Sequence, residues 1–139
     1  MGGLLGLDLG QKRVGVAYSD DQTSVATALT MIEFKSRAFL AAEISKLVKE
    51  YKVTKIVVGL PLNANGEKGP AAEKVTENTA WLKSQVPVQW EFWDERFTTK
   101  EAETILLEAN VSRARRKEVV DQLAAQRILQ NYIDFHRKP

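Results

Sequence analysis

Four acidic residues occupy positions at which a carboxylate is costly unless something pairs with it. Asp8 lies near the end of a hydrophobic run, and Asp94 and Glu95 directly follow another. Asp121 falls inside a long helical pattern, on a stripe with the apolar positions 124, 125, 128 and 132. Because an isolated charge is expensive to bury, we expect these carboxylates either to brace local structure or to face cations.

Hydrolysis assisted by divalent metal ions is the chemistry that such a set of carboxylates could support. Mg²⁺ and Mn²⁺ prefer oxygen ligands, and two ions about 3.5–4 Å apart can activate a water and stabilise an oxygen that leaves phosphorus. Each acid also has a structural interpretation. Asp8 could brace the turn that follows it, the acids after residue 93 could pair with Arg96, and Asp121 could bridge Lys117.

Basic residues cluster although the net charge of +2 is too balanced to indicate nucleic-acid binding by itself. The segment SRARRK, residues 112–117, holds four cations in six positions. It is either a solvated helix start or a patch that contacts phosphates. The candidate nucleic-acid contacts are Lys12, Arg13, Asn63, Arg96, Arg113, Arg115, Arg116 and Lys117.

Length and composition narrow the class of protein. A chain of 139 residues fits one domain spanning 1–139, and no apolar stretch approaches the roughly 20 residues needed to cross a membrane. The absence of cysteine excludes disulfides, thiolate metal sites and a cysteine nucleophile, and it is compatible with the cytoplasm. The single histidine, His136, lies in the tail and is expected to be exposed.

The hydrophobic pattern predicts a mixed sheet covered by helices. Strands are expected at 4–9, 14–19, 25–32, 55–60 and 86–93, and helices at 37–51, 70–84, 98–108 and 112–135. Two of the tryptophans have open roles. Trp90 is expected to pack in the core, whereas Trp93 could pack or stack on bases.

Four segments resemble the motifs of a known family. They are GLDLGQKRVGVAYSD at 6–20, VVGLPLNANG at 57–66, DERFTT at 94–99 and VVDQLAAQRILQNY at 119–132. In this order they resemble the YqgF (RuvX) family of bacterial proteins, which has the RNase H-like fold and is related to RuvC-type Holliday junction resolvases. The resemblance covers residues 4–132.

The resemblance implies an α/β protein with an RNase H-like mixed sheet flanked by helices, and a metal-dependent nuclease. Asp8 matches the first metal ligand, Glu95 (with Asp94 as the alternative) the second, and Asp121 the acid on the last helix. The implied cofactor is a pair of Mg²⁺ or Mn²⁺ ions. The implied substrates are precursor 16S rRNA, trimmed at its 5′ end in ribosome biogenesis, and branched DNA.

Two other classes of function compete with this interpretation. Actin-like ATPases and sugar kinases share the glycine-containing hairpin, but they need two such domains, and neither a P-loop nor a G-x-G-x-x-G pattern is present. A nucleic-acid-binding module without catalysis would use the basic residues and leave the acids structural. The oligomeric state is open between a monomer and a weak homodimer.

Overall fold

The computed structural model describes residues 2–20, 25–94 and 113–137, and in the last helix the side chains of residues 123–136. Its strands are β1 (Gly3–Leu9), β2 (Arg13–Ser19), β3 (Thr27–Glu33), β4 (Val53–Leu60) and β5 (Gln89–Asp94). Its helices are α1 (Arg37–Tyr51), α2 (Pro70–Gln85) and α3 (Arg113–Arg137). No helix within these ranges is both long and apolar enough to cross a membrane. The helix expected at 98–108 lies outside the described residues.

The five strands form one mixed sheet in the order β3-β2-β1-β4-β5. β1 pairs antiparallel with β2 and parallel with β4, and β5 is parallel to β4. This mixed sheet flanked by helices confirms the RNase H-like fold that the resemblance implies. The carboxyl ends of β1, β4 and β5 therefore meet at one edge of the sheet, which is also the edge where α1 and α2 begin.

Alternation along β1 divides the molecule into two layers. Leu5, Leu7 and Leu9 belong to the core beneath α1 and α2, together with Leu40 and Val75 from those helices. The alternate residues of β1, which include Gly6 and Asp8, therefore lie on the opposite face. A second core covers that face, made of Ala17 and Val57 from the sheet and Ala125, Ile128, Leu129, Tyr132 and Ile133 from α3.

The third strand begins two residues later than expected, at Thr27. The backbone N–H of Ala26 donates to Oε1 of Gln130, and Nε2 of Gln126 donates to the carbonyl of Ala26. Because both backbone groups of Ala26 are bonded to side chains of α3, the sheet ladder starts only after it. The preceding Val25 is 61% exposed and does not belong to the core.

The fifth strand likewise begins at Gln89 rather than at residue 86. The N–H of Val86 donates to the carbonyl of Leu82 and closes α2, so Val86 belongs to the helix end. Nε1 of Trp90 donates to the carbonyl of Val86. The Trp90 ring packs against the core under α1 and α2. The prediction that Trp90 is a core residue is confirmed.

Helix α3 lies very close to β1 at Gly6. A Cβ atom at this position would stand 2.7 Å from Cβ of Leu129 and 3.0 Å from the carbonyl oxygen of Ala125. Further along the helix, Tyr132 reaches Lys55, which is opposite Leu4 in the sheet. Rising residue numbers in α3 thus correspond to falling residue numbers in β1, so the helix and the strand run in opposite directions.

A polar network ties the end of α3 to the sheet. Nζ of Lys55 donates to Oη of Tyr132 at 2.8 Å and to Oε1 of Glu91 at 3.2 Å, and Oη of Tyr132 donates to the same carboxylate oxygen at 3.2 Å. The hydrogen bond to Tyr132 is the largest cause that raises the pKa of Lys55 above its ordinary value of 10.5, and Glu91 adds to it, against a smaller opposing effect of burial.

Replacement of Gly6 by alanine is expected to destabilise the fold. The added methyl group would meet the helix backbone and a Cβ atom, neither of which can rotate away, and overpacking of this kind costs about 1–3 kcal/mol. Unfolding in guanidinium chloride, followed by circular dichroism, measures this loss. An unchanged midpoint would show that α3 is not docked on β1 as described.

Removal of the Lys55 side chain is expected to lower the unfolding free energy by a smaller amount at high pH than at neutral pH. Because the pKa of Lys55 is raised in the folded state, its stabilisation is complete below pH 10.5 and fades as the pH rises through the folded pKa. Lys55→Met should therefore lower the unfolding free energy by about 1 kcal/mol or less near pH 8 and by a smaller amount at pH 12. Tyr132→Phe should bring the pKa of Lys55, measured by NMR titration, back down. A pKa that is the same in both proteins would contradict the assignment.

Candidate active site

Asp8 stands at the carboxyl edge of the sheet between two glycines. Its partner in β2 is Gly15, and the register of β4, in which Leu7 is opposite Val58, places Gly59 on its other side. Asp8 is half-buried and lies on the face that α3 covers. Both positions directly opposite Asp8 are therefore glycines, which have no side chain.

The turn after Asp8 is tight and needs glycine. The N–H of Gly10 donates to the carbonyls of Asp8 and Arg13, at 3.1 and 3.0 Å. A Cβ at Gly10 would stand 2.5 Å from the Arg13 carbonyl oxygen. Alternation in β2 places Arg13 on the same face as Gly15, which is the face of Asp8, whereas Lys12 is exposed on the turn.

The last strand separates the two acids that the sequence analysis left as alternatives. Asp94 is exposed and is opposite Leu60 in the sheet. Leu60 belongs to the core under α1 and α2, so Asp94 lies on the face opposite to that of Asp8. The preceding Trp93 is opposite Gly59 and lies on the Asp8 face.

Several predicted site residues lie outside the described part of the chain. Glu95 and Arg96 follow the last residue of β5. Asp121 lies within α3, as expected, but its side chain is outside the described set, as are those of the basic residues Arg113, Arg115, Arg116 and Lys117. Among the described side chains, which include only Asp8 and Asp94 of the four acids, no group of three potential metal ligands is found.

Asn63 has a structural role in the loop after β4. Its N–H donates to the carbonyl of Glu67, and its own carbonyl accepts from the N–H of Gly66. Its side chain packs on Gly69, where a Cβ would stand 2.9 Å from Oδ1 of Asn63. These contacts shape the loop that precedes α2. A contact between Asn63 and nucleic acid remains a prediction.

An aromatic cluster lies on the same face as Asp8. The ring of Trp93 makes edge contacts with Tyr132 and Phe135, with centroids 5.6 and 5.3 Å apart. His136 stacks on Tyr132 at 4.1 Å, and it is exposed, as predicted. Trp93 thus packs against α3, while Phe135 remains 63% exposed.

The glycines on either side of Asp8 were missed by the sequence analysis. Gly15 and Gly59 each interrupt a run of apolar residues, and a glycine inside a strand often marks close approach of a ligand or another backbone. That signal is present in the sequence, but only the strand register shows that both glycines flank one carboxylate.

Solved structures with the same architecture include two proteins in complex with Holliday junctions. RuvC of Thermus thermophilus, in a complex with a Holliday junction substrate, matches with a TM-score of 0.59 and 13% identity, over 98% of this chain and 96% of that chain. The fowlpox virus resolvase, in complex with Holliday junction DNA, matches with a TM-score of 0.59 and 9% identity, over 98% of this chain and 99% of that chain. At these identities the likeness shows the fold.

Sequence relatives are much closer. A protein of Pelotomaculum thermopropionicum is 47% identical over 137 residues, which is 98% of this chain and 89% of that protein, and its name is "Putative pre-16S rRNA nuclease". A protein of the same name from Myxococcus xanthus is 46% identical over 135 residues, or 97% and 89% of the two chains. The family model described as "RuvX: Holliday junction resolvase" matches residues 2–135. The chain therefore belongs to the RuvX family of nucleases.

Proposed function

We propose that the chain is a single nuclease domain, residues 1–139, that hydrolyses phosphodiester bonds of structured nucleic acid with the help of divalent metal ions. The observation that carries the proposal is the placement of Asp8. It stands at the carboxyl edge of the sheet, between Gly15 and Gly59, on the face covered by α3. A carboxylate is an oxygen ligand of the kind that hard cations prefer, and both positions directly opposite it in the sheet are glycines, which have no side chain.

The geometry of α3 supports Asp121 as a second ligand. The helix contacts Gly6 at Ala125, and position 121 is one turn earlier on the helix, about 6 Å along its axis. Asp8 is two residues beyond Gly6, about 6.6 Å along the strand in the same direction. The two distances from the Gly6 contact are nearly equal. In this proposal, positions 8 and 121 therefore lie at the same height along β1.

The face of Asp94 supports Glu95 rather than Asp94 as the remaining ligand. Asp94 belongs to the face of Leu60, and a strand continued by one residue would turn position 95 to the face of Asp8. β5 is two strands from β1, about 10 Å away. A pair of ions with their ligands and waters can span such a gap.

In this proposal Asp8, Glu95 and Asp121 hold the metal ions, while cationic side chains hold the substrate. When bound, two Mg²⁺ or Mn²⁺ ions supply a nucleophilic water and stabilise the leaving oxygen. Arg13, which lies on the Asp8 face, and Arg96 would orient the scissile phosphate through charge-assisted hydrogen bonds. Lys12 and Asn63 are further contacts at this edge.

The basic start of α3 is the proposed contact with the substrate backbone. The helix enters the fold over the Asp8 edge, because its direction is opposite to that of β1. Residues 113–117 lie one to two helical turns before position 121. Arg113, Arg115, Arg116 and Lys117 would hold the strand that leaves the site.

The proposed substrate is the 5′ end of precursor 16S rRNA, processed in the cytoplasm. Its support is the name shared by relatives at 44–47% identity that cover nearly the whole chain. Branched DNA is the second candidate, favoured by the description of the family. Resolving a junction takes two symmetric cuts and favours a dimer, whereas trimming one RNA end requires only a monomer.

Substitution of the acids tests the assignment of the ligands. Asp8→Asn and Glu95→Gln should each abolish cleavage of a precursor rRNA fragment in Mg²⁺ or Mn²⁺, while Asp94→Asn, the matched control one residue away, should keep most of the activity. Gel analysis of end-labelled RNA and of a four-way DNA junction measures both substrates in parallel. Circular dichroism should show all three variants folded.

The result also separates the enzyme from a binding module. Isothermal titration of Mn²⁺ should give weaker binding to Asp8→Asn than to the wild type. Full activity of Asp8→Asn would overturn the site, and loss of activity in Asp94→Asn but not in Glu95→Gln would reverse the choice between the two acids. Unaltered binding of nucleic acid without any response to metal would establish the non-catalytic alternative.

Neutralising the basic cluster should change how binding depends on salt. Each phosphate contact contributes about 0.7 to the slope of log K against log salt for a single strand, so Arg115→Ala/Arg116→Ala should flatten the slope by about 1.4. Lys46→Ala/Lys49→Ala, with the same charge change on α1, is the control and should leave the slope unchanged. Fluorescence anisotropy over a range of KCl concentrations measures it, and equal slopes in all three proteins would remove the cluster from the interface.

A further inference from the structure

A cleft of about 1090 Å³ opens at the carboxyl edge of the sheet, on the face opposite to that of Asp8. It lies between the starts of α1 and α2 and the turn after β1. Its apolar wall includes Leu9, Phe34, Pro61 and Val75. Sites for drug-sized molecules occupy about 300–1,000 Å³, so the cleft is large enough for a nucleotide.

The charged side chains among the described residues that line the cleft are all positive. Lys35, Arg37 and Lys74 line it, and no carboxylate does so among the described residues. Nε of Arg37 donates to Oδ1 of Asn78 at 2.9 Å, and Asn78 is only 7% exposed. A buried amide thus holds one edge of an exposed guanidinium in place, which leaves its other N–H groups available for an anion.

The cleft is also close to the proposed site of hydrolysis. Leu9 and Gly10, which line it, directly follow Asp8 in the chain. Consecutive Cα atoms are 3.8 Å apart, so Asp8 and Gly10 are separated by no more than about 7 Å. A strand whose scissile phosphate lies at Asp8 has to cross only the turn after β1 to reach the cleft.

We propose that the cleft binds an unpaired nucleotide of the substrate strand, next to the scissile phosphate. Its base packs on the apolar wall, and its phosphate is bound by Lys35, Arg37 and Lys74. The inference rests on the proposed function, because Asp8 fixes where the scissile phosphate lies. Paired nucleotides are excluded by their partner strand, so the cleft selects a single-stranded segment at the point of cleavage.

Two variants test the charge and the space of the cleft separately. Arg37→Ala/Lys74→Ala removes two of its cations, and Ala71→Trp fills it from an exposed position on its wall without changing charge. Each should weaken binding of a labelled 12-nucleotide single-stranded RNA about tenfold, as measured by anisotropy in EDTA. Lys46→Ala/Lys49→Ala, the control with the same charge loss, should stay within twofold of the wild type.

A blunt RNA duplex of the same length provides the matched substrate. Ala71→Trp should leave its affinity unchanged, because a duplex has no unpaired base to insert. If Arg37→Ala/Lys74→Ala and the α1 control lose equal affinity for the single-stranded RNA, the effect comes from net charge alone and the proposal is overturned. Unchanged single-strand affinity in folded Ala71→Trp would overturn it as well.

A free nucleotide has the same chemistry as the proposed occupant, and competition distinguishes the two. AMP should displace the RNA at lower concentration than inorganic phosphate of equal ionic strength, and Ala71→Trp should abolish that difference. If AMP competes but Ala71→Trp still binds the strand normally, the cleft is a mononucleotide site and the proposal is wrong. Because binding is measured in EDTA, the test of the cleft succeeds or fails independently of metal-dependent cleavage.

Discussion

The arrangement of this protein depends on one close contact, between the backbone of α3 and Gly6 of β1. The helix comes so near that no side chain fits at position 6, and Leu129 and Ala125 take the space that a side chain would fill. This contact fixes the axial position of the helix against the strand. It thereby sets which helical residue stands at the level of Asp8, which in the proposed site is residue 121, 113 positions later in the sequence.

The sheet assigns opposite chemistry to its two faces at the same edge. On the α3 face, glycines stand on both sides of Asp8, where the proposed metal ions and the phosphate would bind. On the face of α1 and α2, Arg37 and Lys74 border an apolar cleft. Only the thickness of the strands separates the two, so a nucleic-acid strand that bends around the turn after β1 can contact both.

Much of this arrangement follows from local sequence patterns. The spans of α1 and the first two strands are set by periodicity and by Ser36, whose side chain accepts from the N–H of Phe39 and caps the helix. The start of β3 could not be predicted, because the partners of Ala26 are glutamines 100 and 104 residues away. The position of the two glycines beside Asp8 could not be predicted either, because it depends on the register between strands that are distant in sequence.

The electrostatics of the proposed site explain why α3 is also anchored at its far end. Carboxylates gathered at one edge repel one another and resist sharing that space until cations arrive. A helix that carries one of them must therefore be held by contacts elsewhere. The Lys55, Glu91 and Tyr132 network and the packing of Trp93 on α3 supply such contacts, about a helix turn or more from Gly6. In the proposed site these contacts would hold α3 in position against that repulsion, so that binding of metal would have to order little of the helix.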